Sequence, residues 1–283
     1  MDKFIIEELK QYSNQAIPLK SGIFTRLFVK RVDINKLHPN PEDEFCMPEV
    51  GPSDRIIGEY VKKYTDAAKQ GQTHSEEPIT VEKMYPDGYM IMNGHHRWAA
   101  AKRMGVKRLP VRIVNLAHEA DIENAIKKTD NTKRVTFDLD EVIFVKDSRP
   151  AEREPAFPFN RIFKERLKAG VPGLFGYLIR NGYDIWLYSS RFYSIDYIRD
   201  LLKKYHVAAT GIVTGTEKNN SINSEVRKRI AGRMADKYTE TIHIDNNTLI
   251  RSSSNSKDFE EYEIGKDAGN WSSDIIELMG KLK

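Results

Sequence analysis

The chain has 283 residues, 40% hydrophobic and 30% charged, with a formal net charge of +4. That length exceeds the roughly 100–200 residues of one domain and predicts two, while the near balance of charge in both halves argues against an extended basic nucleic-acid surface. No apolar run approaches the ~18 residues of a membrane span. The acidic start, Met1-Asp2-Lys3-Phe4-Ile5-Ile6-Glu7-Glu8, lacks the basic region of a signal peptide, and the one cysteine, Cys46, excludes an intrachain disulfide. A cytoplasmic protein with no membrane partner is expected.

In chain order, Leu27-Phe28-Val29 reads as a short strand, followed by Val32 to Leu37 and the turn-rich His38-Pro39-Asn40-Pro41. Glu42, Asp43, Glu44, Glu49 and Asp54 then gather with no Lys or Arg between Lys36 and Arg55. Such a stretch must be solvated, paired with cations elsewhere, or bound to a metal. Ile56, Ile57, Tyr60, Val61 and Tyr64 repeat at helical spacing. Ile79-Thr80-Val81 and Tyr89 to Met92 read as strands around the turn Pro86-Asp87-Gly88. A helix over 97–104 is stopped by Gly105, and Leu109 to Val114 returns as a strand.

A polar helix and turn at 117–133 reads as a linker. Beyond it strands and helices alternate: a strand at 135–138, a helix near 161–181, a strand at 185–188, a helix at 194–205, a strand at 211–213, a helix near 223–237 and a strand at 241–244. This rhythm predicts a doubly wound parallel sheet with ligands at the carboxyl ends of its strands. The serine run 252–254 reads as a loop. The expected class is α/β, with an α+β domain over 1–116 and a doubly wound domain over 134–283.

Three of these strands end in polar residues suited to phosphoryl transfer. Asp138 follows Val135-Thr136-Phe137, Ser189 follows Ile185 to Tyr188, and Asp245 follows Ile242-His243-Ile244. Asp138-Leu139-Asp140 also supplies a carboxylate pair. The pattern resembles the haloacid dehalogenase superfamily over residues 134–283. The resemblance implies a phosphatase in which Asp138 is the nucleophile and Asp140 protonates the leaving group, then activates water. It further implies that Asp138, the backbone carbonyl of Asp140 and Asp245 hold Mg2+, that Ser189 binds phosphoryl oxygens, and that a lysine neutralises the transferring group. Lys218 and Lys228 are the two candidates, Lys218 being the better placed. Asp245-Asn246-Asn247 departs from the two acids many relatives carry, and the stretch 141–188 leaves room for a minimal cap only.

In the first half, Asn93-Gly94-His95-His96-Arg97 precedes an alanine-rich helix, and no acid occurs between Gly88 and His118. Amides at a helix N-terminus bind phosphate, and the imidazoles and guanidinium add donors. Adjacent histidines cannot easily share one zinc ion. Together with Leu37-His38-Pro39-Asn40-Pro41 and Leu109-Pro110-Val111, this segment resembles the ParB/sulfiredoxin superfamily over about residues 27–115. The resemblance implies binding of ATP or another nucleotide by Asn93, Gly94, His95, His96 and Arg97. His95 stands where sulfiredoxins need a cysteine, which excludes sulfinate repair. The double histidine is most similar to the free serine kinase branch, which implies a carboxylate base after the proline box, Glu42 before Glu44.

The combined expectation is a Mg2+-dependent phosphoryl-transfer enzyme acting on a phosphorylated small molecule, with a nucleotide-binding domain that is a kinase or NTPase. The alternative is a partition-like, nucleic-acid-binding module attached to a degenerate phosphatase scaffold.

Overall fold

The computed structural model describes residues 17–70, 77–145, 150–216, 224–254, 259–265 and 271–282. These fall into two compact units, the first running to Leu116 and the second beginning at Ala117. Each unit contains one six-stranded sheet, and the class is mixed α/β. Among the described residues no helix is long and apolar enough to cross a membrane.

In the first unit the strands are β1 (Ile17–Leu19), β2 (Arg31–Asp33), β3 (Leu37–Pro39), β4 (Ile79–Tyr85), β5 (Tyr89–Asn93) and β6 (Arg108–Val114). Their order is β2-β6-β4-β5-β3, with β1 antiparallel to the end of β4. Three helices accompany them: α1 (Ile23–Phe28), α2 (Asp54–Lys69) and α3 (His95–Arg103). Trp98 and Ala99 to Ala101 of α3 are fully buried in a core with Ile57 of α2 and Val81 and Ile91 of the sheet. The three alanines bring the α3 backbone close to its neighbours, which fixes the position of the helix start. The strand expected at Leu27 to Val29 is instead the end of α1, because Phe24, Leu27 and Phe28 are spaced as one face of a helical turn.

In the second unit β7 (Lys133–Asp138), β8 (Tyr183–Ser189), β9 (Gly211–Thr214) and β10 (Glu240–Ile244) run parallel in the order β10-β7-β8-β9. Two further strands, β11 (Thr248–Ser253) and β12 (Phe259–Glu263), extend the sheet antiparallel beyond β10. The helices are α4 (Glu119–Lys127), α5 (Phe159–Ile162), α6 (Val171–Arg180), α7 (Ile195–Lys204), α8 (Ser224–Lys237) and α9 (Trp271–Lys281). Alternation along β8 sends Ile185 and Leu187 into a core with α6, α7 and α9, and Trp186 and Tyr188 into a second with α4 and α8. Both faces of the sheet are therefore covered, as parallel strands require.

Several boundaries differ from the sequence expectation, each for a local reason. The segment 117–133 is more than a linker: α4 packs Ile122, Ala125 and Ile126 against the α8 side of the second sheet, and Glu119 pairs with Arg229 at 2.9 Å. The single helix expected near 161–181 is two helices. Gly170, with φ +85°, lets the chain turn into α6, and Pro172 occupies that helix's first turn. Ahead of it, Leu167 and Lys168 bridge to Phe144 and Ala151, forming a small flap after β7. Ser252 and Ser253 lie in β11, not a loop.

The order of the second sheet also fixes where a ligand would sit. The chain steps from β7 through β8 to β9, then returns to place β10 on the other side of β7. Where winding reverses, the connections leave in opposite directions and open a crevice at the carboxyl ends of β7 and β10.

Candidate functional site

Asp138 closes β7 at that crevice. Its Oδ1 accepts hydrogen bonds from the amides of Asp140 at 2.7 Å and Glu141 at 2.9 Å, capping the single wide turn Leu139–Ile143. The carboxylate is thus oriented by the chain that follows it. Ile244 pairs with Phe137, so the next residue, Asp245, stands beside Asp138, about one interstrand spacing of ~4.8 Å away at the backbone. Asp245 Oδ1 accepts from the Asn246 amide at 2.6 Å, and Asn246 Oδ1 is buried with no hydrogen-bond partner among the described residues.

Asp140 is only 6% exposed, and a carboxylate so placed needs donors. Ser189, fully buried at the end of β8, donates from Oγ to Asp140 Oδ2 at 2.6 Å. Tyr193 donates its hydroxyl to Oδ1 at 3.2 Å, and Arg191 Nε lies 3.3 Å from the same oxygen. Burial, then the charge of Asp140, pushes the Tyr193 hydroxyl up to about 12, so at neutral pH it is a donor. Ser189 is itself held by the Arg191 amide at 3.0 Å. The structure therefore gathers Asp138, Asp140, Ser189 and Asp245. Lys228 is exposed on α8, and Lys218 lies outside the described residues.

The donors at this crevice suit a hard divalent ion. Asp138, Asp245, the Asp140 carbonyl and the orphaned Asn246 Oδ1 are all oxygens of the kind Mg2+ prefers. The Asp140 carboxylate is already taken by Ser189, Tyr193 and Arg191, which leaves its carbonyl for an ion. Among the described residues no three His, Cys, Asp or Glu side chains gather as a metal site. The set here is two carboxylates with carbonyl and amide oxygens. Asn246, which reads from sequence as a departure from an acidic pair, keeps an oxygen acceptor at that position.

The second cluster lies in the first unit at the head of α3. Asn93 ends β5 half-buried, and Gly94 turns the chain with φ +106° to cap the helix. A Cβ at Gly94 would lie 2.9 Å from Arg97 Nη2. Arg97 is buried, donates from Nη1 to the Glu77 carbonyl, and lies 3.6 Å from the Glu77 carboxylate. His95 Nε2 accepts from the Asn40 amide at 3.2 Å, and its Nδ1 lies 3.5 Å from Asp43 Oδ2. His96 Nε2 accepts from the Ser53 amide at 3.1 Å. In a neutral imidazole, acceptance at Nε2 leaves the proton on Nδ1.

Phe45 stacks on His95 at 5.4 Å and meets His96 edge-on at 5.1 Å. The two histidines thus tie the loop between Asn40 and Ser53 to the helix start. Glu42 and Glu44 are exposed, and the carboxylate that meets His95 is Asp43 between them. Nothing in the run Glu42-Asp43-Glu44 distinguishes the middle acid; only the 3-10 turn after it, which Asp43 caps by accepting from the Phe45 amide, turns that side chain inward. Tyr193 is equally invisible in sequence, since it reaches Asp140 only after the chain doubles back beyond β8.

Residues 61–129 match the family model of the ParB N-terminal domain. No curated protein matches the chain. Among solved structures it is similar to the C-terminally truncated chromosome-partitioning protein ParB from Caulobacter crescentus, complexed with CTP-gamma-S, at 24% identity and a TM-score of 0.25, covering 35% of this chain and 51% of that one. It is also similar to the C-terminal domain of C. albicans trehalose-6-phosphate phosphatase, at 14% identity and a TM-score of 0.18, covering 60% and 55%. The chain spans about half the length of each.

Proposed function

We propose that this chain is a Mg2+-dependent phosphohydrolase of haloacid dehalogenase type, acting through an aspartyl-phosphate on Asp138, joined to an N-terminal unit that binds a nucleotide. The observation that supports it most is that Asp138 and Asp245 directly follow the paired residues Phe137 and Ile244 at the reversal point of a parallel sheet, with Asp140 held by Ser189 next to them. In the first step a carboxylate oxygen of Asp138 attacks phosphorus, the bond from phosphorus to the leaving oxygen breaks, and the Asp140 carboxyl gives that oxygen its proton. In the second, water attacks phosphorus, Asp140 takes a proton from it, and Asp138 leaves as carboxylate. The net change is a phosphate ester and water to an alcohol and phosphate.

Mg2+ bound by the oxygens of Asp138, Asp140 and Asp245 would offset the charge of the phosphoryl group. Lys218 is the preferred further cation, because Lys228 sits on an exposed face of α8. Removing the nucleophile by Asp138→Asn should lower Mg2+-dependent turnover of an aryl phosphate by at least about 1,000-fold, about 4 kcal/mol of transition-state stabilisation. Undiminished turnover in that variant would sink the assignment.

Nucleotide binding is assigned to the first unit on two grounds: the family match at residues 61–129 and the glycine-capped start of α3, where backbone amides and the helix dipole favour phosphate. The same match favours a second reading, a nucleic-acid-binding module. Steep salt dependence of duplex binding by the full chain, together with turnover indifferent to Asp138→Asn, would select it instead.

A further inference from the structure

We infer that Tyr193 is a positioning residue for the proton donor: it holds Asp140 in the plane from which the carboxyl reaches the leaving oxygen. The inference rests on the phosphohydrolase reading above. A carboxyl held at one oxygen still rotates about its own axis, so a hydrogen bond from Ser189 to Oδ2 cannot by itself set the direction of the proton. Tyr193 supplies the second point of attachment at Oδ1. The other group at Oδ1, Arg191, has a side chain 64% exposed, so its contact is screened by water and weakly directional.

Tyr193 is itself fixed in four ways. Its ring stacks on Tyr197 with 6.4 Å between centroids and 6° between planes, and meets Phe144 edge-on at 5.8 Å. Its carbonyl accepts from Thr214 Oγ1 at 2.7 Å, and its amide donates to the Arg191 carbonyl at 3.0 Å. A ring held on both sides with a pinned backbone places its hydroxyl with little loss of entropy on forming the bond. Tyr193 therefore orients the proton carrier through its hydrogen bond to Oδ1.

Positioning of an acid has a signature that loss of folding does not. Protonation of the leaving oxygen matters for an alkyl phosphate, whose alkoxide leaves poorly, and little for p-nitrophenyl phosphate, whose phenolate leaves readily. Tyr193→Phe should therefore lower kcat/KM for an alkyl phosphate about 10–100-fold more than for p-nitrophenyl phosphate, with KM nearly unchanged. Tyr197→Phe removes a hydroxyl of the same stack, one that donates to Glu165, and should leave the alkyl-to-aryl ratio as it is. In an Asp140→Asn background Tyr193→Phe should have no additional effect on the alkyl ester.

An equal fall for both substrates, or an equal change of ratio in Tyr197→Phe, overturns the inference. If Asp138→Asn abolishes turnover while Tyr193→Phe leaves the ratio untouched, this inference alone fails. If turnover survives Asp138→Asn, the phosphohydrolase reading fails and takes the inference with it.

Discussion

Gly94→Ala measures how tightly the head of α3 is built. At φ +106° an L-residue is outside its allowed regions, a backbone cost of about 1–2 kcal/mol. The added Cβ would also lie 2.9 Å from Nη2 and 3.2 Å from Nε of Arg97, inside van der Waals contact. A flexible arginine on a surface would move aside at little cost. Arg97 is 7% exposed and bonded to the Glu77 carbonyl, so moving it breaks a charge-assisted hydrogen bond in a buried place, about 1.5–3 kcal/mol. The sum is about 2.5–5 kcal/mol.

Gly105 provides the reference. It has φ +67° and nothing within 4 Å of where its Cβ would sit, so Gly105→Ala should cost only the backbone term, about 1–2 kcal/mol. Urea denaturation of the full chain, followed by tryptophan fluorescence for the transition that includes buried Trp98, gives both values. A Gly94→Ala cost within about 0.5 kcal/mol of Gly105→Ala would refute the role given to Arg97.

Two further outcomes follow from the second unit. Tyr238 donates to Asp184 Oδ2 at 2.7 Å and accepts from Trp186 Nε1 at 2.9 Å, so Tyr238→Phe strands a buried indole N–H and takes one donor from a buried carboxylate. It should cost about 2–4 kcal/mol in a urea titration, and a cost under about 0.5 kcal/mol would contradict the network. Glu240 is subject to burial, which alone would raise its pKa, but hydrogen bonds from Arg251 at 2.7 Å and Tyr183 at 2.7 Å outweigh that and hold it below its ordinary value of 4.5. Because the folded pKa is the lower one, its contribution is complete above about pH 5 and is lost as pH falls through the folded value. The stability difference between the natural chain and Glu240→Gln should be about 0.5–1.5 kcal/mol at pH 6 and shrink toward pH 3; a constant difference would show that the charge is not involved.

What could be foreseen from the amino-acid order depended on whether the determining contacts were local. The strands leading to Asp138, Ser189 and Asp245 carry short apolar runs, with Val135 to Phe137 and Ile185 to Leu187 buried on both faces and Ile242 and Ile244 buried on one, and their pattern is legible without a partner. The edge strand β12 is not: Phe259-Glu260-Glu261-Tyr262-Glu263 is largely exposed and owes its conformation to pairing with β11. The three adjacent apolar residues Leu27, Phe28 and Val29 read as a strand, and only the spacing back to Phe24 marks the helical turn that Leu27 and Phe28 complete. Gly170 and Pro172 were visible as breakers, and they do divide the 161–181 stretch.

The site divides in the same way. Asp138 and Asp140 lie two positions apart in sequence, so their proximity is legible by inspection. Asp43 meets His95, and Tyr193 meets Asp140, only through folding, and no local pattern marks either. His95 and His96 were conspicuous as a pair, yet the separate amides they accept from, those of Asn40 and Ser53, belong to a loop more than forty residues earlier in the chain.

The central claim is that phosphoryl transfer passes through a covalent bond to Asp138. Rapid quench of the full chain turning over a phosphate ester with Mg2+, followed by borohydride reduction and peptide mass spectrometry, reads that bond directly. The account predicts reductive modification at Asp138 that requires substrate and disappears in Asp138→Asn. Modification at another residue, or none while turnover proceeds at a rate that must populate the intermediate, would contradict it.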